Sequence, residues 1–320
     1  MITIIESSEA DNCWNQRLLD SKLGQSYQTK EFGLSKKLLN GETLFLKFIS
    51  SNGSIVGQLL VMLYSGVNKK FSLKKLGKKF LNKNYVFARW VHGPIIFDLN
   101  YKNEIILKFQ EYLKSKKFKV WGSDYPLQLT LSQNTKNFST EQWATFLINL
   151  NNSKETLWNN LEKHSARKNI ERSRKRNVIV KQMSRSDLSV YYELIQQSKK
   201  TEPELTLSFL EKQWDVLQPI NFIGFIAYKN NIPVGAIRAS SFNGYINEFS
   251  VIRTVKDTMD KLYSQDLLKW NIIEWGLKNH FSYYDLSGVN PYPNNSKEEG
   301  IFRYKQKWGG NLIKYNILTS

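Results

Sequence analysis

Cysteine, histidine and long apolar runs are all scarce in this 320-residue chain, and each scarcity excludes something. A single cysteine, Cys13, leaves no partner for an intrachain disulfide, and no Cys/His set is spaced to hold zinc. A reducing compartment fits that usage. The three histidines, His92, His164 and His280, share no local spacing, which disfavours a metal site or a histidine-based triad. No G-x-G-x-x-G fingerprint, P-loop, H-E-x-x-H or G-x-S-x-G elbow occurs. Zinc-finger spacing and the aromatic signature of an RRM are also missing. The longest apolar runs, such as Phe222–Ala227, have the length of a strand and fall far short of a bilayer span. The start, Met1–Glu6, lacks a positive flank and soon turns acidic, so it does not read as a signal peptide. The expectation is a soluble cytoplasmic protein with no metal and no cofactor.

What the chain does have is core-forming residues and positive charge. Its hydrophobic content of 41% and aromatic content of 13% supply buried cores, and the length suits two of them. The net charge of +18 attracts polyanions: nucleic acid, phosphorylated substrates or an anionic membrane face. Two clusters stand out. One is Lys163, His164, Arg167, Lys168, Arg172, Arg174, Lys175 and Arg176, read as lying on one helix. It contacts phosphate, from tRNA or a diphosphate group, or else is a solvated face. The other, Lys69, Lys70, Lys74, Lys75, Lys78, Lys79 and Lys83, reads as a surface loop, with an amphipathic membrane-surface segment as the alternative.

The pattern of elements is stated twice. Residues 43–49 read as a strand, Asn52-Gly53 as a hairpin turn and residues 55–62 as the return. In the second half, residues 222–228, Asn230-Asn231 and 232–239 repeat this, and both returning strands carry Val-Gly. Helical spacing at Ile105, Ile106, Phe109 and Leu113 precedes a strand at 118–121. Likewise Leu267, Leu268, Ile272, Ile273 and Leu277 precede a strand at 281–284. The repeat predicts two similar α/β domains with mixed sheets, 1–150 and 151–320. The second begins with a basic helical segment, 153–218, inserted between the halves. Within it, Ser153 caps a helix from near Glu155 to about Arg176, a strand follows at 178–180, and further helices cover 188–200 and 207–217.

Strand alternation at 247–252 places Glu248 and Ser250 on one face, with Phe249 and Val251 on the other. Glu248 is then a general base beside a cleft, or the partner of one of the many cations. The following stretch, Arg253–Asp260, contains no glycine, so its backbone is ill suited to wrapping a pyrophosphate. A helix is expected from Lys261 to Lys278.

Several short segments, in this order, resemble the FemABX aminoacyltransferases. They are Gly24-Gln25-Ser26-Tyr27-Gln28 with Phe32 and Lys36, then His92-Gly93-Pro94, then Leu157-Trp158 with Arg167-Lys168-Asn169-Ile170. Tyr284-Asp285-Leu286-Ser287-Gly288 follows, and last Phe302-Arg303-Tyr304-Lys305 before Gly309-Gly310. The resemblance covers nearly the whole chain. It implies twin GNAT-like acyltransferase domains and transfer of an amino acid from aminoacyl-tRNA to an acceptor amine, on a lipid-linked or UDP-linked peptidoglycan precursor. It further implies that Lys305 stabilises the oxyanion, with Glu248, Ser250, Arg303 and Tyr304 lining the substrate site. Lys36 would bind acceptor phosphate, and Lys199 and Lys200 stand near the place of an acceptor-binding arginine. Thr201–Glu204 supplies no arginine there. Arg167, Lys168, Arg172 and Arg174 would contact tRNA. The long coiled-coil arm of some members is missing. Two alternatives stay open: an N-acyltransferase of this fold using acyl-CoA or acyl-carrier protein, and a non-catalytic protein that binds RNA or a membrane surface.

Overall fold

Both hairpins expected from the sequence are present, one in each half. In the computed structural model, residues 1–39, 41–65, 86–131, 138–198 and 205–320 are described. The lysine cluster at 69–83, Lys199, Lys200 and the Thr201–Glu204 segment lie outside them. The chain divides into two compact units, 1–143 with 314–320, and 144–313.

The first unit contains β1 (Thr3–Ser7), α1 (Trp14–Ser21), α2 (Lys30–Lys37), β2 (Glu42–Ile49), β3 (Ile55–Ser65), β4 (Val86–Trp90), β5 (Ile95–Ile96), α3 (Lys102–Ser115) and β6 (Lys119–Ser123). β2 and β3 form the hairpin expected around Asn52-Gly53, and Gly53 takes φ +84°, which a side chain would resist. The sheet runs β1-β2-β3-β4-β6, with the end of the C-terminal strand (Asn311–Thr319) beside β6. Among the described residues of this unit, only β4 and β6 pair in parallel. The spacing read for α3 buries Ile105, Ile106, Phe109 and Leu113 against Phe48, Leu59 and Trp90.

The second unit takes up the chain in β7 (Ser139–Asn149). It then contains α4 (Lys154–Asn160), α5 (Lys168–Lys175), β8 (Val178–Gln182), α6 (Leu188–Gln197), α7 (Leu207–Leu217), β9 (Ile223–Lys229), β10 (Ile232–Phe242), β11 (Tyr245–Arg253), α8 (Val255–Met259), α9 (Ser264–Lys278), β12 (Tyr283–Val289) and α10 (Ser296–Gln306). Its strands lie in the order β7-β12-β11-β10-β9-β8. β11 and β12 are parallel, and their ladder stops at Asn247↔Asp285 although both strands continue. α9 covers one face: a Cβ on Gly235 of β10 would meet Ser264 and Leu268. Arg238, three residues on and so on the opposite face, lies over the ring of Tyr191 from α6.

Three local expectations are corrected. The single helix from Glu155 to Arg176 is broken at Leu161, whose backbone is extended. Leu161 turns into the core and the Glu162 amide donates to the Lys307 carbonyl (2.9 Å), so tertiary contacts override the helical pattern. A π-helical turn, Lys163–Arg167, then leads into α5. The loop after β11 is not open, because Thr254 caps the short α8 within it and α9 starts only at Ser264. Finally, β11 bulges. Arg238 pairs with Ser250 but its neighbour Ala239 pairs with Glu248, which leaves Phe249 as the extra residue. The bulge puts Glu248 on the α9 face and Ser250 on the α6 face, not together.

Candidate active site

Where β12 parts from β11, the chain makes a strained turn. Ser287 has φ +65°, in the left-handed region. Asp285 holds it there: this buried carboxylate accepts from the Ser287 amide (2.7 Å), the Tyr245 hydroxyl (2.6 Å) and the Thr145 hydroxyl. Ser287 in turn donates its hydroxyl to the Glu248 carbonyl (2.8 Å), which ties the turn to β11. The consequence is that the Ser287 and Gly288 carbonyls both face α10. Lys305 Nζ donates to each at 2.8 Å. An ammonium has three N–H donors, so this leaves Lys305 one for a third acceptor.

The charges around Lys305 are layered. Glu248 forms an ion pair with Lys269 of α9 and accepts from the Tyr284 hydroxyl (2.6 Å). Lys269 is 1% exposed and sits among the rings of Tyr284, Tyr304 and Trp308, at 5.6–5.7 Å. Burial pulls Lys305 down to about 8; Glu248 and Asp285 oppose the shift and Lys269 adds to it. At neutral pH the ammonium therefore stays mostly protonated, yet it is poorly solvated. Such a group gains most when negative charge develops within its reach.

A cleft of about 210 Å³ opens in the second unit at the N-terminus of α9, lined among others by Asn169, Tyr263, Gln265, Asp266, Tyr304 and Lys307. The helix end is already occupied. Asp257 of α8, wholly buried, accepts from the Ser264 amide (2.9 Å) and from Arg253 Nε (2.7 Å). Asp266 in the first turn pairs with Lys307 and accepts from Asn169 (3.0 Å). The protein's own carboxylates thus stand at the helix end, where a phosphate would otherwise be favoured.

The other residues singled out from the sequence fall in separate places. Tyr304 lines the cleft, and its buried hydroxyl has no hydrogen-bond partner among the described residues. Arg303 is exposed and pairs with Glu299 one turn back, away from Lys305's contacts. Ser250 faces α6 and hydrogen bonds Tyr191 (2.8 Å). Arg167 and Lys168 lie at the junction into α5, where Arg172 stacks over Tyr263 at 5.6 Å and Arg174 over Trp158 at 5.9 Å. Arg176 joins Arg172 over Tyr263, at the cleft's rim. In the first unit, Lys36 sits over Phe32 at 4.8 Å. Burial, helped by the charge of Arg89, holds Lys36 down at about 8, and Arg89 lies over Trp121 at 4.6 Å. Among the described residues neither cation is paired with a carboxylate.

Sequence reading missed Lys269, Asp257, Lys307, Arg89 and Arg238. One signal was available: Lys269 interrupts the apolar run Leu267-Leu268-Lys269-Trp270, and a cation there demands a buried partner. Among the described residues no three His, Cys, Asp or Glu side chains converge to hold a metal ion. Nor, among them, is any helix long and apolar enough to cross a membrane.

No family model matches the sequence, and no curated relative does. Solved structures do resemble it. FemX superposes with a TM-score of 0.68 at 12% identity, over 98% of this chain and 96% of that one. L-PGS from Bacillus licheniformis gives 0.58 at 12% identity, over 98% and 92%. A tandem GNAT protein from the clavulanic acid biosynthesis pathway gives 0.55 at 9% identity, over 100% and 98%. The resemblance to FemABX proteins read from short segments thus extends to the architecture: this chain has the mixed α/β, tandem GNAT fold of FemX along nearly its whole length.

Proposed function

We propose that the protein is an aminoacyltransferase that moves an amino acid from aminoacyl-tRNA to an acceptor amine, on a lipid-linked or UDP-linked peptidoglycan precursor. The observation that carries this reading is Lys305, held by two backbone carbonyls with one N–H to spare in a poorly solvated turn. The acceptor nitrogen attacks the ester carbonyl of the donor, and a C–N bond forms as the C–O bond to the tRNA ribose breaks. The carbonyl oxygen becomes an oxyanion in between, and the free N–H of Lys305 stabilises it. The nitrogen's proton leaves with the ribose oxygen or to water. Glu248, already engaged by Lys269 and Tyr284, sustains the ammonium instead of serving as the base.

Two further observations favour this donor over acyl-CoA. Asp257 stands at the α9 N-terminus, so a CoA pyrophosphate would meet a buried carboxylate. The cleft at the α9 N-terminus carries Arg172 and Arg176 over Tyr263 at its rim, which suits a nucleic-acid end: phosphate to the guanidinium groups, a base to the ring. Lys36 and Arg89 suit an acceptor that carries phosphate.

The test is transfer of label from a mixed pool of radiolabelled aminoacyl-tRNA to a wall-precursor extract, with wild type and Lys305→Ala side by side. Amide-linked label that falls by about 10²–10³ in the variant is expected, the scale of losing one oxyanion donor. Undiminished transfer by a folded Lys305→Ala protein would overturn the assignment. Label from acyl-CoA and none from tRNA would replace the donor.

A further inference from the structure

Arg238 is a buried cation that the acyl-transfer turn does not use. It is 4% exposed, in the middle of β10 on the α6 face. Three rings surround its guanidinium: Tyr191 at 4.3 Å, Phe222 at 5.2 Å and Phe249 at 5.6 Å. Phe249 is there because of the bulge in β11, which inserts that residue opposite Arg238. Its hydrogen-bond partners are weak and neutral. Nε donates to Ser250 Oγ and Nη1 to Gln213 Oε1, both at 3.3 Å, and the Tyr191 hydroxyl lies alongside. Among the described residues no Asp or Glu pairs with it.

That arrangement is costly. A guanidinium has five N–H donors, and removing its charge from water without a counter-charge costs several kcal/mol. Cation–π contact with the three rings offsets part of that cost but supplies no counter-charge, and two long neutral hydrogen bonds add little. Burial pushes the Arg238 guanidinium below its usual range, with Tyr191 opposing the shift. A structural pillar would be served as well by methionine or leucine, so the charge calls for an anion.

We propose that Arg238, with Ser250, Tyr191 and Gln213, forms a binding site for a carboxylate, supplied by the acceptor of the transfer reaction. A carboxylate fits better than a phosphate because the site holds one positive charge. A monoanion balances it, whereas a dianionic phosphate would leave a net negative charge buried. The planar guanidinium edge offers paired N–H groups at the spacing of two carboxylate oxygens. The ring walls suit the apolar substituent that an amino-acid carboxylate carries. The link to the acceptor rests on the transferase reading; the carboxylate site itself does not and is tested without turnover.

The probe is N-acetylalanine, compared with N-acetylalaninamide at equal ionic strength, in thermal unfolding of wild type, Arg238→Met and Ser250→Ala. The acid, and not the amide, is expected to raise the wild-type Tm by about 3–6 °C at tenfold excess over its Kd. Arg238→Met should fold and lose the response, and Ser250→Ala should weaken it. Equal effects of acid and amide, no effect of either, or a full response in Arg238→Met would overturn the proposal. If Arg238→Met fails to fold, Ser250→Ala decides: an unchanged response there refutes the site. In the transfer assay, Arg238→Lys should raise KM about 30-fold for a carboxylate-bearing acceptor and leave its amidated analogue unaffected. Absence of all transfer would count against the transferase reading while leaving the thermal result to judge the site.

Discussion

Replacing Glu248 by Gln should harm the second unit far more than a surface charge change would. Lys269 is 1% exposed, Glu248 is 11% exposed on its side chain, and they are ion-paired. Gln keeps the shape and a carbonyl acceptor for Tyr284 but removes the counter-charge. The ammonium is then left among Tyr284, Tyr304 and Trp308 with ring faces as its main compensation. Breaking a buried pair from one side costs about 3–5 kcal/mol, a third or more of what a typical domain has. At about 2–4 °C per kcal/mol, the melting temperature should fall by roughly 6–20 °C. Lys269→Met, which instead strands the carboxylate, should cost a similar amount. The double variant Glu248→Gln/Lys269→Met strands neither charge and should recover most of the loss, because an ion pair replaced by apolar packing is often neutral. Urea unfolding of the four proteins gives the coupling energy directly, expected at several kcal/mol. A coupling below about 1 kcal/mol would refute the reasoning and make the pair an incidental contact. The same series reads on function, since Glu248 helps keep Lys305 protonated. Glu248→Gln should shift the alkaline limb of the pH–rate profile to lower pH.

Further outcomes follow from the same structure. Because the folded Lys305 titrates at about 8, and the protonated form is the oxyanion donor, kcat/KM should fall as pH rises through that value and stay level below it on this group's account. Burial raises Asp124 to about 6 in spite of donors from Thr130, Leu131 and the Asn316 amide. A carboxyl raised on folding binds more protons in the native state, so stability should drop by about 3 kcal/mol as pH rises from about 4 through 6. Asp124→Asn should flatten that part of the Tm-against-pH curve, and an unchanged slope would reject the assignment. Gly309 has φ +72°, and a Cβ there would collide with the Asn160 carbonyl, so Gly309→Ala should cost more than the roughly 1 kcal/mol of the backbone conformation alone. Gly53→Ala, where the added Cβ meets nothing, should cost only that 1 kcal/mol, and equal losses at the two sites would contradict the collision.

Features set by neighbours in sequence could be read before the structure. The hairpins at Asn52-Gly53 and Asn230-Asn231 could be, because turn chemistry and strand period are local. The α3 and α9 stripes could be, for the same reason. What depended on pairing could not. The bulge at Phe249 arises from the register between β10 and β11, so plain alternation put Glu248 and Ser250 on the same face. The break at Leu161 is made by the Lys307 carbonyl, 146 positions away, and no helix propensity records it. Lys305 was reached through resemblance. Its two carbonyl acceptors exist only because Asp285 holds Ser287 at a positive φ.

The first unit is sewn from both ends of the chain. Residues 314–320 belong with 1–143, and Ile317 pairs with Ser123 of β6. During synthesis β6 therefore presents an unpaired edge while the whole second unit, 144–313, is still being made. The order of birth and the order of completion are opposite: the unit begun first closes last. An open strand edge held for that long is a template on which a neighbouring nascent chain can pair.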